Sequence, residues 1–473
     1  MPLIEPRSFE LHDPGADPDS FVAVTNDRRR FHLGLALIGL VGLAVRWGMV
    51  MLSYRHLSPP PFSLDDNTWY WWQSKLLADG KGFANPFVEK FTGVVQPSAG
   101  KPPLFTAFLS LFHLVGLDSP LAMRFAGGIA GTAAVIAAGL LARRITGRNL
   151  AGWCAALCAA VYPNLWINDG LILSESLYAM FAAAVMWAAY RVIETPTWRT
   201  AALLGVMIGL ATLTRSEGQI LIVLMIGPVA LLVARRERSW RLLFSTGIVA
   251  VLAAGIVISP WVIRNLTTYR EPVYISIGTG FVLDVANCDR TYYGDLLGYT
   301  DANCWRLEWP EGADESEVEL FLRENALDYI SSHKSRLPVV VAARIGRILN
   351  VYRPLQGVDL DTFFERGGKR PRQAGLVSYY LFGAFAIIGL VSTRRRKISI
   401  LAPLVLMTMV IVTAASSMPI TRYRIAMEMV WVVFGGIGLD VAIRWIQERR
   451  RSQSPLEPSD QSPPSPDIEL LRT

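Results

Sequence analysis

Three groups of ionisable residues interrupt an otherwise apolar chain. Asp65 and Asp66 stand in "FSLDDNTWYWWQSKLL", which begins at Phe62, and Lys101 follows in "GKPPL". Asp169 and Glu175 lie in "NDGLILSESLY", and Arg215 and Glu217 lie in "LTRSEG". Carboxylates set near Lys and Arg suit transfer of a group from an activated lipid to a hydroxyl. A carboxylate takes the proton from the attacking oxygen while the cations neutralise the leaving phosphate. That chemistry needs no nucleotide fold, and the chain carries neither a P-loop nor a Gly-rich dinucleotide fingerprint. Charges at membrane depth cost several kcal/mol unless they face a cavity or a partner, so they mark function.

Membrane depth is the relevant setting because the chain of 473 residues is 52% hydrophobic and only 18% charged, with a mean hydropathy of +0.33. Such a composition excludes an ordinary soluble globular protein. A crossing helix needs roughly 20 apolar residues. Candidate segments run 33–54, 121–141, 150–167, 177–193, 201–213, 220–234, 242–263, 376–392, 398–416 and 425–446, about ten crossings by that criterion. No signal-peptide pattern opens the chain, so the first segment is read as an anchor.

The formal charge of +7 comes from short clusters between these segments: "DRRR", "RRITGR", "RVIETPTWR", "RRERSWR", "TRRRK" and "QERRR". On this count all fall on the side of the N-terminus, which puts both termini in the cytoplasm and argues against nucleic acid as a partner. "KPPLFTAFLSLFHLVGL" has about 14 apolar residues after its prolines, too few to cross, and is read as a helix at the outer face. The three ionisable groups then share the extracytoplasmic end of the bundle. Outer loop one is expected at 55–120 and a long, mixed outer loop at 264–375, where a Cys288–Cys304 disulfide would form in an oxidising compartment. Cys154 and Cys158 lie one turn apart in an apolar segment and read as packing residues. Residues 1–30 and 452–473, polar and rich in Pro and Ser towards the C-terminus, read as disordered cytoplasmic tails around a membrane domain at 31–451.

"DDNTWYWWQSKLL" places Trp69, Trp72 and Leu76 on one helical face, suited to packing or to the membrane interface. The acids then stand at the helix N-terminus, where a capping role for Asp66 competes with a chemical one.

"LDDNTWYWWQSKLLADGKGF", then "KPPL" and a short apolar helix, then "MRFAGGIAGTAAVIAAGLLARRITG" resemble the opening of the GT-C membrane glycosyltransferases. The closest group is the protein O-mannosyltransferases and lipid A aminoarabinose transferases, of the glycosyltransferase family 39 type. "SPWVIRNLTTYREPVYISIGTG" and "RYRIAMEM" resemble later landmarks of the same proteins. The resemblance implies an all-α polytopic fold with extracytoplasmic juxtamembrane helices. It also implies a polyprenyl-phosphate sugar donor, a glycan, lipid or protein acceptor, and inverting transfer at the outer face of the cell envelope. By it, Asp65 is the catalytic base, Asp66 stands where relatives commonly have Glu, and Lys101 contacts the lipid phosphate. Gly100 replaces a residue that is often acidic. Glu175 corresponds best to the acid of the second outer loop, with Asp169 its rival. Tyr70 and Arg124 are expected near the substrate. One of Arg264, Arg422 and Arg424 is expected to hold the phosphate. Arg215 and Glu217 are expected to pair with each other. No cofactor is required, although some GT-C enzymes use a divalent cation. The competing class is a transporter or flippase of lipid-linked sugars, which predicts internal repeats and charged helix breaks at the midplane.

Overall fold

The computed structural model describes residues 18–55, 65–306, 308, 310–365 and 368–453, and the side chains from 27 to 452 within that range. Most of the tails expected to lack structure lies outside it. The first helix, α1 (Pro18–Met49), nevertheless begins well inside the stretch 1–30, so that part of the expected tail is helical.

Helices build the described residues, without a strand. Three short ones follow the first crossing: α2 (Asp66–Ala78), α3 (Pro86–Thr92) and α4 (Pro103–His113) precede the long α5 (Pro120–Thr146). The ends of α5 follow from its sequence. The Ser119 side chain accepts from the Ala122 N–H, Pro120 occupies the first turn, and Gly147 closes the helix with a left-handed φ of 69°. α6 (Asn149–Val161) and α7 (Pro163–Gly170) form one broken span bent by 49°. Pro163 causes the break, because it lacks an N–H and disfavours helical geometry in the preceding residue. α8 (Glu175–Glu194), α9 (Trp198–Thr214), α10 (Gly227–Arg236) and α11 (Trp240–Thr268) complete the first half.

The long segment between α11 and the last three helices holds α12 (Thr279–Ala286), α13 (Asp289–Tyr292), α14 (Glu315–Ser332), α15 (Leu337–Ile348) and α16 (Pro354–Glu365). Within it a disulfide joins Cys288 to Cys304, with Cα atoms 6.2 Å apart. The last three helices are α17 (Lys369–Arg395), α18 (Leu401–Ser416) and α19 (Ile425–Gln453).

Among the described residues seven helical stretches are long and apolar enough to cross a membrane, and the bent α6–α7 pair makes eight. The other two expected crossings correspond to α9 and α18, which at 17 and 16 residues fall short of a full span. α4, with 11 residues, is shorter still, as its composition implied, and packs against α2. α19 is the central element, packing on α17, α6, α5, α8 and α18, whereas α1, α11 and α17 turn most of their surface outward. Its approach to α17 requires glycine: a Cβ on Gly389 would stand 2.0 Å from the Phe434 carbonyl oxygen, and one on Gly438 2.0 Å from that of Phe385. Close backbone contact of this kind is how helices associate where lipid removes the hydrophobic drive.

Candidate functional site

A cavity of about 360 Å³ opens at one end of the bundle. α8 and α19 start there and α9 and α18 end there, so alternate crossings deliver their termini to the same place. The segment at 276–279, with Val282 and Leu283 of α12, covers it from the long segment after α11.

Asp65 and Asp66 part company at the start of α2. Asp65 is the N-cap: its backbone is extended and its carboxylate accepts the Thr68 N–H at 2.9 Å. Asp66, one residue and about 100° further round the helix, lines the cavity. Its carboxylate takes Lys101 Nζ at 2.6 Å on one oxygen and Arg422 Nη2 at 2.6 Å on the other. The sequence-based expectation put Asp65 beside Lys101. The structure pairs Lys101 with Asp66, because the capping bond turns Asp65 back onto its own helix, towards Arg124.

Arg422 joins the segments. Besides Asp66, its guanidinium faces Glu365 at 3.3 Å, from the end of α16, and Glu175 at 3.7 Å, from the start of α8. Glu175 also pairs with Arg215, which pairs in turn with Glu217, so the expected Arg215–Glu217 pair belongs to the cavity wall. Both Arg215 and Arg422 lie over the Tyr423 ring, 5.0 and 5.3 Å from its centroid. Tyr70 lines the same cavity; its ring meets Phe105 edge-on at 5.0 Å and its hydroxyl bonds to Ser174.

The electrostatics follow. Burial pushes the Asp66 carboxyl up, but Lys101 and Arg422 overcome that and hold it well below the usual carboxylate range. Burial draws Lys101 down, whereas Asp66 and Tyr70 outweigh it and raise the ammonium. Glu365 goes the other way: burial raises it to about 6 even against Arg422.

Other expected site residues are held elsewhere. Asp169 pairs with Arg46 at 2.5 Å inside the bundle. Arg124 donates to the Gly170 carbonyl, and Arg264 to the Phe83 carbonyl at 3.0 Å. Arg424 is fully buried, bonded to Glu428 at 2.6 Å and to the Ile348 carbonyl at 2.7 Å, with the Tyr379 ring 3.9 Å from its guanidinium. Of the three candidate phosphate arginines, Arg422 alone lines the cavity.

Glu365 was not singled out from sequence. Its signal is weak but present: Asp361 and Glu365, spaced i, i+4 in "DLDTFFE", are acids on one face of a helix that also carries two phenylalanines. Asp359 and Asp361 there do not act together, since Asp359 pairs with Lys369 at 2.5 Å and Asp361 accepts from the Tyr299 hydroxyl at 2.8 Å. Among the described residues no three His, Cys, Asp or Glu side chains converge closely enough to hold a metal ion. Where the carboxylates of Asp66, Glu175 and Glu365 converge, the Arg422 guanidinium lies between them.

Gly100 also has a local reason. A Cβ there would stand 2.6 Å from Trp69 Cζ2, so the indole fills the space that a larger residue before Lys101 would use. Trp69 packs edge-on against Phe87 and Trp72 lies under Lys90, while Leu76 is buried. The aromatic face of α2 is therefore engaged in packing.

Comparison with known proteins gives three findings. Residues 100–263 match the family model described as dolichyl-phosphate-mannose-protein mannosyltransferase. No curated protein matches. Among solved structures, the oligosaccharyltransferase of Archaeoglobus fulgidus tethered to an acceptor peptide is similar at TM-score 0.55 and 15% identity, over 90% of this chain and 51% of that one. The same archaeon's oligosaccharyltransferase AglB, in complex with an inhibitory peptide and a dolichol-phosphate, is similar at 0.53 and 13%, over 90% and 52%. ArnT from Cupriavidus metallidurans bound to undecaprenyl phosphate aligns at 0.38 and 15%, over 90% and 81%. The chain thus spans about half the length of the archaeal structures and shares their fold over that part.

Proposed function

We propose that this chain is a membrane glycosyltransferase that moves a monosaccharide from a polyprenyl-phosphate donor to an acceptor hydroxyl, in the cavity at the extracytoplasmic end of its bundle. The observation that carries the reading is the convergence of Asp66, Lys101 and Arg422, from three separate segments, on one cavity beside Glu175 and Arg215. The family match over 100–263 supports it, as does the dolichol-phosphate held by a protein of the same fold.

In this reading Lys101 and Arg422 receive the lipid phosphate, one as a point charge and the other as a planar fork. Without donor, Asp66 occupies both cations and is a poor base. An arriving phosphate competes for the same two cations and leaves the Asp66 carboxylate free to take a proton. The acceptor hydroxyl gives that proton to Asp66 as its oxygen bonds to the anomeric carbon. The bond from that carbon to the phosphate oxygen breaks, and the electron pair stays on the phosphate beside Lys101 and Arg422. Glu175 positions Arg422 and Arg215 rather than taking the proton, because both arginines already engage it. Asp65, expected to be the base, shapes the helix start from which Asp66 projects.

The test is transfer of radiolabelled sugar from a panel of polyprenyl-phosphate monosaccharides by purified protein in liposomes. Transfer by the native chain that is lost in Lys101→Ala and Arg422→Gln, with both variants folded, supports the proposal. Transport of the intact lipid-linked sugar with no transfer rejects it in favour of a flippase.

A further inference from the structure

A second cavity, of about 1000 Å³, lies at the opposite end of the bundle. α8 starts at the first cavity and ends at this one, and α18 runs between them, with Leu401 here and Ser416 there. The rise of α18 separates the two ends by ~22 Å. The walls of this second cavity are apolar, from Ile193, Leu231, Leu232, Ile398, Leu401 and Leu404. Its rim is cationic. Arg235 and Arg236 come from the last turn of α10, Arg394 from the last turn of α17, and Lys397 from the turn that follows it. Lys397 carries that turn with a left-handed φ of 60°.

Among the described residues the charge there is not balanced by protein. Glu194 is the one acid on the lining, and it is taken by Arg144 from α5. Arg236 donates to the Ile193 carbonyl and approaches Glu237 at 3.7 Å, while Arg235, Arg394 and Lys397 have no ion pair among the described residues. A topological excess of basic residues on one side of a membrane requires cations at these helix ends, but it does not require them to ring an apolar-walled hollow. An apolar interior with unneutralised cations at its mouth is complementary to an amphiphile with an anionic head.

We infer that this cavity is a binding site for an anionic phospholipid of the adjoining bilayer leaflet, its phosphate among Arg235, Arg236, Arg394 and Lys397 and its chains along α8, α10 and α18. The occupant is a bilayer lipid and not the sugar donor, whose phosphate ligands Lys101 and Arg422 stand at the far end of α18. The choice of a bilayer lipid over the sugar donor rests on the proposed transfer reaction, whereas the site for an anionic amphiphile rests on this cavity alone.

Native mass spectrometry of the full chain, released from micelles titrated with phosphatidylglycerol, phosphatidylcholine or undecaprenyl phosphate, tests it. The native chain should retain phosphatidylglycerol and not phosphatidylcholine. Arg394→Gln/Lys397→Gln removes two cations whose side chains make no ion pair among the described residues and should weaken retention roughly tenfold, given that each basic residue near a headgroup contributes a several-fold factor. Arg29→Gln/Arg30→Gln, an equal loss of charge on α1, should leave retention unchanged and serves as the folding control. Unchanged retention in Arg394→Gln/Lys397→Gln, equal retention of phosphatidylcholine, or a site filled by undecaprenyl phosphate but not by phosphatidylglycerol would each overturn the assignment. Should the double variant fold poorly, Lys397→Gln alone is read in the same way with a proportionally smaller loss.

Discussion

Replacing Asp66 by Asn should slow transfer and at the same time tighten donor binding. Asn keeps the shape of the side chain and removes its charge. Lys101 and Arg422 each lie 2.6 Å from an Asp66 oxygen, and the Asp66 and Lys101 side chains are 25% and 28% accessible. At this separation one pair is worth ~1.6 kcal/mol at the dielectric of water and several-fold more at the effective dielectric of a protein surface. A phosphate must displace the carboxylate from both cations. The smaller figure, discounted for the partial exposure of the pair, already predicts a donor Kd lower by about tenfold. Loss of the proton acceptor should lower kcat by about 10² to 10⁴. Asp65→Asn is the matched control: Asn caps a helix about as well as Asp, so kcat should fall less than about fivefold and stability by less than ~1 kcal/mol. Undecaprenyl phosphate binding to purified protein reads the first quantity, and radiolabelled sugar transfer in liposomes reads the second. Two outcomes refute the reasoning: transfer abolished in Asp65→Asn but kept in Asp66→Asn, or weaker phosphate binding by Asp66→Asn.

Four further outcomes follow. Glu365, 12% accessible and raised to about 6 from 4.5, binds more protons folded than unfolded, so its contribution lowers stability as pH rises from about 4.5 to 6 and is constant above; Glu365→Gln should remove that decline and raise stability at pH 7.5 by up to ~2 kcal/mol, read by thermal unfolding across pH. The Cys288–Cys304 bridge closes a 16-residue separation, so Cys288→Ser/Cys304→Ser should cost the α12–α16 segment ~3 kcal/mol, seen as faster proteolysis between α12 and α14. Gly100→Glu should be destabilised by the Trp69 ring, and Trp69→Ala should restore folding of the double variant, measured as yield of monodisperse protein. Arg424→Met strands the buried Glu428 carboxylate and should cost ~3–5 kcal/mol of stability, whereas Arg422→Gln should act mainly on transfer, a contrast that thermal unfolding and transfer assays measure together.

Sequence by itself determined the apolar segments, since hydrophobic length is local: each of the ten expected crossings coincides with a helix, even where α9 and α18 are too short to span alone. It also marked Lys101, Glu175 and Arg422, because a charge beside an apolar segment is costly wherever the chain folds. It could not divide the work between Asp65 and Asp66. Which of two adjacent carboxylates caps and which faces the cavity depends on where the helix begins, and a shift of one residue rotates every side chain by about 100°. Nor could it separate Arg422 from Arg264 and Arg424, three arginines near the ends of apolar segments, until packing gave two of them other partners. The partner of Glu365 and the basic-rimmed cavity were decided by tertiary structure. Glu365 brings the end of α16 to Arg422, the cavity brings the end of α10 and the α17–α18 turn together, and contacts between segments so far apart along the chain are not specified by any local period.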